Sequence, residues 1–296
     1  MKYNEKDIKD DEIRVIGGDE QVKKPQGWKW LLLLLLGIIV GIVVWQLIPS
    51  TQEPPGEEPP EPGYFDPTPA VPGQSDVKLP LSRLAAPDHA FVEMIDTTIN
   101  DIPLSLYIPH QMSYTLHVGT VDRNDTTILF VAQAADVRAD NGGIVGAFVM
   151  KGEPKAWGLS KKGYCAIIND SVIIGVADNS PLFEEATEKE GYFFRQFPLV
   201  DNGQLVENEQ RGKAVRRAVC DRNGEIFTVE SLTDESFHDF AQALVDLGVD
   251  NAIYLVGANA YGWATDAKGQ RHEFGNPAPP KKKWKNISYL VMRAKP

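Results

Sequence analysis

Apolar residues in this chain first run together without a break, then almost vanish, and then alternate with polar ones. The unbroken run is Trp30 to Ile48, WLLLLLLGIIVGIVVWQLI, nineteen residues without a charge. It matches the ~20 residues a helix needs to cross a bilayer core of about 30 Å. Trp28, Trp30 and Trp45 lie near its ends, where indole rings favour the interface. The run is apolar on every side, unlike an amphipathic core helix. It is also longer than the apolar stretch of a signal peptide, and no small-residue cleavage site follows it. The expectation is one uncleaved membrane helix over residues 30–48.

Charge asymmetry orients that helix. Residues 1–29 carry seven Lys and Arg, and residues 49–77 carry none. Positive residues stay on the cytoplasmic side, so residues 1–29 read as a cytoplasmic tail and everything after Pro49 as extracytoplasmic. Residues 49–77 hold nine prolines and six acids, including the run EPPGEEPPEP. Such a segment buries too little apolar surface to fold and favours extended polyproline II. At about 3.1 Å per residue it reaches roughly 90 Å. It reads as a Pro/Glu-rich linker that holds a domain away from the bilayer.

From residue 78 to 296 the pattern is strand-like, with alternating apolar and polar positions or short β-branched runs. The expected strands are Phe91–Ile99, Pro103–Ile108, Tyr114–Val118, Thr127–Val131, Ile144–Met150, Tyr164–Val176, Glu225–Glu230, Ala252–Gly257 and Ile287–Arg293. One helix is expected, capped by Thr233, with Asp234 and Glu235 at its positive end. Phe237, Phe240, Ala241, Leu244 and Val245 form its apolar face, and Gly248 ends it. Asn223-Gly224 predicts a tight hairpin between Val215–Cys220 and Glu225–Glu230. Residues 258–286 read as a long irregular segment, a kind often tied to function. The class is α+β, a large mixed or antiparallel sheet with few helices, following the membrane helix and the linker.

Composition sharpens this only in part. The 296 residues carry a net charge of −11, which argues against a simple nucleic-acid-binding protein. Six of those charges belong to the linker, and residues 78–296 are nearly balanced, with 23 basic and 28 acidic residues. No phosphate-binding GxxxxGK, no GxGxxG between strand and helix and no GxSxG is present, so no cofactor is expected. His89, His110, His117, His238 and His272 are scattered without zinc spacing, so no metal site is expected. Cys165 and Cys220 could pair outside the cytoplasm, although buried free thiols are the preferred reading. The basic run Lys281–Lys285, with Trp284, reads as a solvated loop or as an anion or glycan contact. Arg216 and Arg217 are adjacent on a strand and must face opposite ways. The inward one needs an anionic or carbonyl partner, either a structural carboxylate or a ligand.

Four stretches carry a further signal: FFRQFPLVDNGQL (193–205), AVRRAVCDRNGEI (214–226), FHDFAQALVDLGVDNAIYLVG (237–257) and NISYLVMR (286–293). Their order resembles the phosphodiester glycosidase domain family. That pattern runs G-P-x-L-V-x-x-G-x, then R-T-A-x-G-x-D-x-x-G, an amphipathic helix and N-L-D-G-G-G-S, with N-G-G-[YF]-F upstream. The resemblance covers roughly residues 125–296, and it implies the family's fold and a sugar phosphodiester as substrate. The D-G-G-G-S motif is not intact. Val256 stands in the aspartate position, followed by Gly257, Ala258, Asn259 and Ala260. Asn141-Gly142-Gly143 matches N-G-G but is followed by Ile144. The family arginine falls on Arg216, with one residue fewer before Gly224.

A glycosidase needs a carboxylate at the scissile bond, and valine cannot replace one. The resemblance therefore implies a sugar or sugar-phosphate site lined by Arg216, Asn259, Tyr261, Trp263 and Gln196, with the catalytic residues unassigned. Tyr261 and Trp263 would offer faces for sugar stacking, or simply pack the long segment. Three functions follow. The first is a hydrolase with a relocated carboxylate at Asp201, Asp221 or Asp266. The second is a non-hydrolytic binding domain, and the third a cell-envelope interaction protein.

Overall fold

The computed structural model describes residues 81–82, 88–276 and 286–295. The expected cytoplasmic tail, the membrane helix over 30–48, the linker and the Lys281–Lys285 run lie outside the described residues. Among the described residues, no helix is long and apolar enough to cross a membrane.

Among the described residues, seventeen strands and two helices follow one another. The first eight strands are β1 (Phe91–Ile99), β2 (Ile102–His110), β3 (Met112–Val118), β4 (Ile128–Gln133), β5 (Ala147–Met150), β6 (Glu153–Trp157), β7 (Gly163–Ile168) and β8 (Ser171–Val176). Helix α1 (Leu182–Glu188) leads to β9 (Tyr192–Gln196), β10 (Pro198–Asp201), β11 (Gln204–Leu205), β12 (Arg217–Arg222) and β13 (Glu225–Ser231). Helix α2 (Phe237–Asp246) precedes β14 (Asn251–Leu255), β15 (Gly262–Thr265), β16 (Arg271–Phe274) and β17 (Ser288–Ala294).

The expected sheet-rich architecture with few helices is present, and its strands form three sheets among the described residues. The orders are β1-β2-β13-β12-β14-β10-β11, then β16-β15-β4-β17-β3, then β6-β5-β9-β7-β8. Every pairing is antiparallel. Strand alternation explains how they share one core. Val219, Ile253 and Leu255 of the first sheet meet Phe130, Leu290 and Met292 of the second and Phe148, Cys165 and Phe194 of the third. The opposite face of the first sheet, with Ala218, Cys220, Phe227 and Val229, is covered by Phe237, Phe240, Ala241 and Leu244 of α2. Burying each large apolar side chain on that helix stabilises by about 1.5–3 kcal/mol.

Several local expectations change. Ser236, not Thr233, caps α2, accepting from the Asp239 N–H at 3.0 Å. Thr233 instead donates to the Glu235 carboxylate at 2.7 Å. The far end is as expected: Gly248, at φ 85°, donates to Val245 O, and Val249 donates to Leu244 O. That pair of bonds is a Schellman motif. The stretch Tyr164–Val176 is two strands, because Asn169-Asp170 at φ 50° and 63° turns the chain back on itself. Residues 258–286 contain the β15–β16 hairpin rather than only loop. The hairpin of β12 with β13 forms as its Asn223-Gly224 turn predicts. Cys165 and Cys220 are both free, in different hydrophobic clusters.

Candidate functional site

Arg216, the residue before β12, and Arg217, its first residue, point to opposite sides. Arg216 turns toward α2, where its Nε donates to Glu235 O at 2.8 Å and its Nη2 to Gly212 O at 2.6 Å. Its guanidinium lies 4.3 Å above the Phe237 ring. Arg217 turns into the central core and is fully buried. Its Nε donates to Glu230 Oε2 at 2.6 Å, its Nη2 to the same oxygen, and its Nη1 to Val256 O at 2.9 Å. Phe274 lies 4.1 Å beneath its guanidinium. The inward arginine therefore has a structural carboxylate as partner.

A second polar cluster forms where β9 ends. Gln196 is completely buried, and its Oε1 accepts from Lys161 Nζ at 2.7 Å and from the Phe197 N–H at 3.0 Å. Its Nε2 donates to Asp136 Oδ2 at 3.2 Å, the oxygen that also pairs with Lys161 Nζ. The Lys161 side chain is 7% exposed and that of Asp136 36%. Asp136 is thus the solvent-facing member of the group. Burial pushes the Lys161 ammonium below the usual lysine value, against the pull of Asp136.

Lys161 is also held in an unfavourable backbone conformation, φ 132°. The buried Arg195 accounts for this, since its Nη1 donates to both Lys161 O and Ala177 O at 2.9 Å. A strained non-glycine residue persists only where its surroundings over-determine it, and such residues concentrate at functional sites.

Aromatic rings join the two clusters. Lys161 Nζ lies 4.3 Å from the Phe197 ring centre. Phe197 meets Phe237 edge-on at 5.6 Å, and Phe237 carries Arg216 on its face. Arg216 and Gln196 thus belong to one band of cations and rings. Tyr254 packs on Phe237 at 4.8 Å, and its hydroxyl oxygen accepts from the Gly257 N–H at 3.0 Å. That bond ties the 256–261 loop to the band. The loop runs against Val215, because Ala258 N donates to Val215 O at 2.8 Å.

Of the remaining expected site residues, Asn259 and Tyr261 belong to this loop and Trp263 follows it in β15. Asn259 is exposed, and its carbonyl accepts from Asn276 N at 3.0 Å. Trp263 is buried in a cluster with Val121, Ile128, Val131 and Val291, on the face of the second sheet opposite the central core. Tyr261 packs beside it at 5.9 Å. Arg123 lies over the Tyr261 ring and Arg271 over the Trp263 ring, at 5.3 and 4.9 Å. Burial and the neighbouring Glu273 carboxylate push the Tyr261 phenol up to about 12.

The three carboxylates proposed as relocated acids serve turns. Asp221 accepts from the Gly224 N–H at 2.8 Å. Asp266 accepts from Lys268 N and Gln270 N at 2.9 and 2.8 Å, and from His272. Asp201 accepts from the neighbouring Asn202 side chain at 3.0 Å. Asp136, Lys161 and Glu230 escape the sequence analysis, which names Arg217 without settling that it is the inward arginine. Their side-chain partners lie 13 to 60 positions away, and no spacing rule connects them.

No protein-family model matches the chain, and no curated protein matches it. Among solved structures it is similar to the zebrafish N-acetylglucosamine-1-phosphodiester alpha-N-acetylglucosaminidase catalytic domain auto-inhibited by its pro-peptide. The TM-score is 0.49 and the identity 14%, over 70% of this chain and 83% of that one. It is also similar to a hypothetical protein from Synechocystis, with TM-score 0.46 and 13% identity, over 70% of this chain and 62% of that one.

Proposed function

We propose that the chain is a membrane-anchored, extracytoplasmic protein whose folded domain is of the phosphodiester glycosidase type and binds sugar or sugar-phosphate groups, with that family's hydrolytic chemistry altered or lost. The anchoring rests on the apolar run 30–48 and on the lysine and arginine asymmetry around it. The family reading rests on the four ordered stretches between 193 and 293.

One observation carries the altered chemistry. Where the family pattern has an aspartate, this chain has Val256, whose carbonyl is engaged by Arg217 Nη1. A valine neither protonates a leaving group nor stabilises an oxocarbenium ion. Binding is supported by the Asp136–Lys161–Gln196 group. Its Asp136 carboxylate remains accessible and can accept from sugar hydroxyls, while the buried Lys161 ammonium and Gln196 amide hold it in place.

The test is incubation of the full-length chain, in nonionic detergent, with a GlcNAc phosphodiester. No sugar release above the no-enzyme control is expected. Release that Arg216→Ala abolishes would overturn the loss of hydrolysis. Saturable binding of a sugar phosphate, weakened at least tenfold by Asp136→Asn, is expected from calorimetry. A second reading, a non-catalytic envelope interaction protein, is favoured by the engagement of both arginines with the chain's own oxygens. Absence of any sugar-phosphate binding would select it. Resistance to alkaline carbonate extraction checks the anchor.

A further inference from the structure

Five two-residue turns link neighbouring strands, and each places both residues in the left-handed region. Four begin with asparagine: Asn100-Asp101, Asn169-Asp170, Asn202-Gly203 and Asn223-Gly224. Asparagine is suited to that position because its short side chain tolerates a left-handed backbone. The fifth turn, between β5 and β6, begins with Lys151 at φ 53°. A lysine there lacks asparagine's local advantage. The turn is also fixed in place. Gly152 N donates to Gly191 O at 2.9 Å, and a Cβ at Gly152 would come within 2.9 Å of Thr187 O.

Lys151 lines an open cavity of about 370 Å³ together with His117, Tyr192, Arg293, Thr115 and Met150. No carboxylate lines it, although the chain is acidic overall. Arg293 gives its Nη1 to Asp125 at 2.6 Å and to Thr127 Oγ1 at 3.2 Å. Its Nε and Nη2 have no partner among the described residues. His117 uses Nε2 on Thr120 O at 3.0 Å, which leaves Nδ1. The cavity thus collects an ammonium, part of a guanidinium, an imidazole and a phenol from three strands and one turn. Arg293 is near enough to Tyr192 for its charge to draw the phenol back against the upward push of burial.

We propose that this cavity is an anion site for a small phosphorylated molecule no larger than a sugar monophosphate. It is separate from the Arg216 band and stands without the function proposed above. Lys151, His117, Tyr192 and Arg293 line one cavity, and two of them carry a positive charge, which suits the doubly charged terminus of a phosphate monoester better than a singly charged carboxylate. The size suits a small ligand.

Lys151→Asn tests this cleanly, because asparagine is the better turn residue and the variant should melt at or above the wild-type temperature. Full-length chain in nonionic detergent is titrated by calorimetry at low salt with inorganic phosphate, glycerol 3-phosphate and acetate. Saturable binding of a phosphate compound but not acetate is expected, weakened at least tenfold by Lys151→Asn and several-fold by Tyr192→Phe. Dihexanoyl phosphatidic acid, a phosphate monoester like glycerol 3-phosphate, is the second arm. If it binds more tightly than glycerol 3-phosphate and is lost in Lys151→Asn, the phosphate comes from a lipid headgroup; the reverse order assigns a soluble ester. Absence of saturable phosphate binding, or equal binding in wild type and Lys151→Asn, overturns the site.

Discussion

Arg217 and Glu230 form a buried ion pair across β12 and β13, with two guanidinium nitrogens on one carboxylate oxygen. The two residues are direct cross-strand partners, which fixes their approach. Arg217 also holds Val256 O, so one side chain links β12 and β13 to the residue that follows β14, at the mouth of the 256–261 loop.

Breaking such a pair from one side leaves an uncompensated buried charge, at a cost of about 3–5 kcal/mol. Arg217→Met should therefore lower the melting temperature by on the order of 10 °C. The double variant Arg217→Met with Glu230→Leu should recover most of that loss, because neither charge remains. Urea denaturation of Arg217→Met, Glu230→Leu and the double variant measures the coupling, and additive losses would refute a direct interaction.

Gly257 has a different constraint. A Cβ there would lie 2.2 Å from Val215 O, a backbone atom that cannot swing aside. Gly257→Ala should destabilise by about 2 kcal/mol or more. Gly143 is the contrast, since its nearest neighbour at 3.0 Å is the Asn141 side chain. Gly143→Ala should stay within about 1 kcal/mol of wild type.

The strands were largely legible because alternation and β-branching act locally. Phe91–Ile99 emerges with its expected bounds, and Asn223-Gly224 makes the expected turn. Tyr164–Val176 was misread because its apolar residues run through a turn that Asn169-Asp170 already marks. Thr233 and Ser236 are both capping residues, and only the hydrogen bond to Asp239 distinguishes them. The site was less legible. Alternation requires Arg216 and Arg217 to part, but which one faces the core depends on strands that lie outside that local pattern. Lys161 sits in an ordinary Ser-Lys-Lys loop, and its partners Asp136 and Gln196 are 25 and 35 positions away. Only the pairing of sheets brings them together.

The cysteines provide a chemical check on burial. Loss of solvation pushes the Cys165 thiol up to about 12, and burial with the Asp221 charge raises Cys220 as well. Thiolate is the reactive form, so both should be inert to a disulfide reagent at pH 8 in the folded chain. Two thiols should react after denaturation. Rapid reaction of either in the native state would contradict the packing around it.

Lys161 yields a pH dependence whose sign is fixed by its environment. Desolvation lowers the folded ammonium below the ordinary 10.5. Between the folded value and 10.5, the unfolded chain binds more protons than the folded one, so this group makes stability rise with pH. Below that window the charge is buried in full and weakens the fold; above 10.5 the group is neutral in both states and contributes nothing. Lys161→Met removes the titration while keeping much of the side-chain volume. The stability of wild type relative to Lys161→Met should therefore increase as pH rises from neutrality toward 10.5. Urea denaturation of both proteins at several pH values measures the difference directly. A difference that stays flat, or falls, would mean that Asp136 compensates the buried ammonium in full.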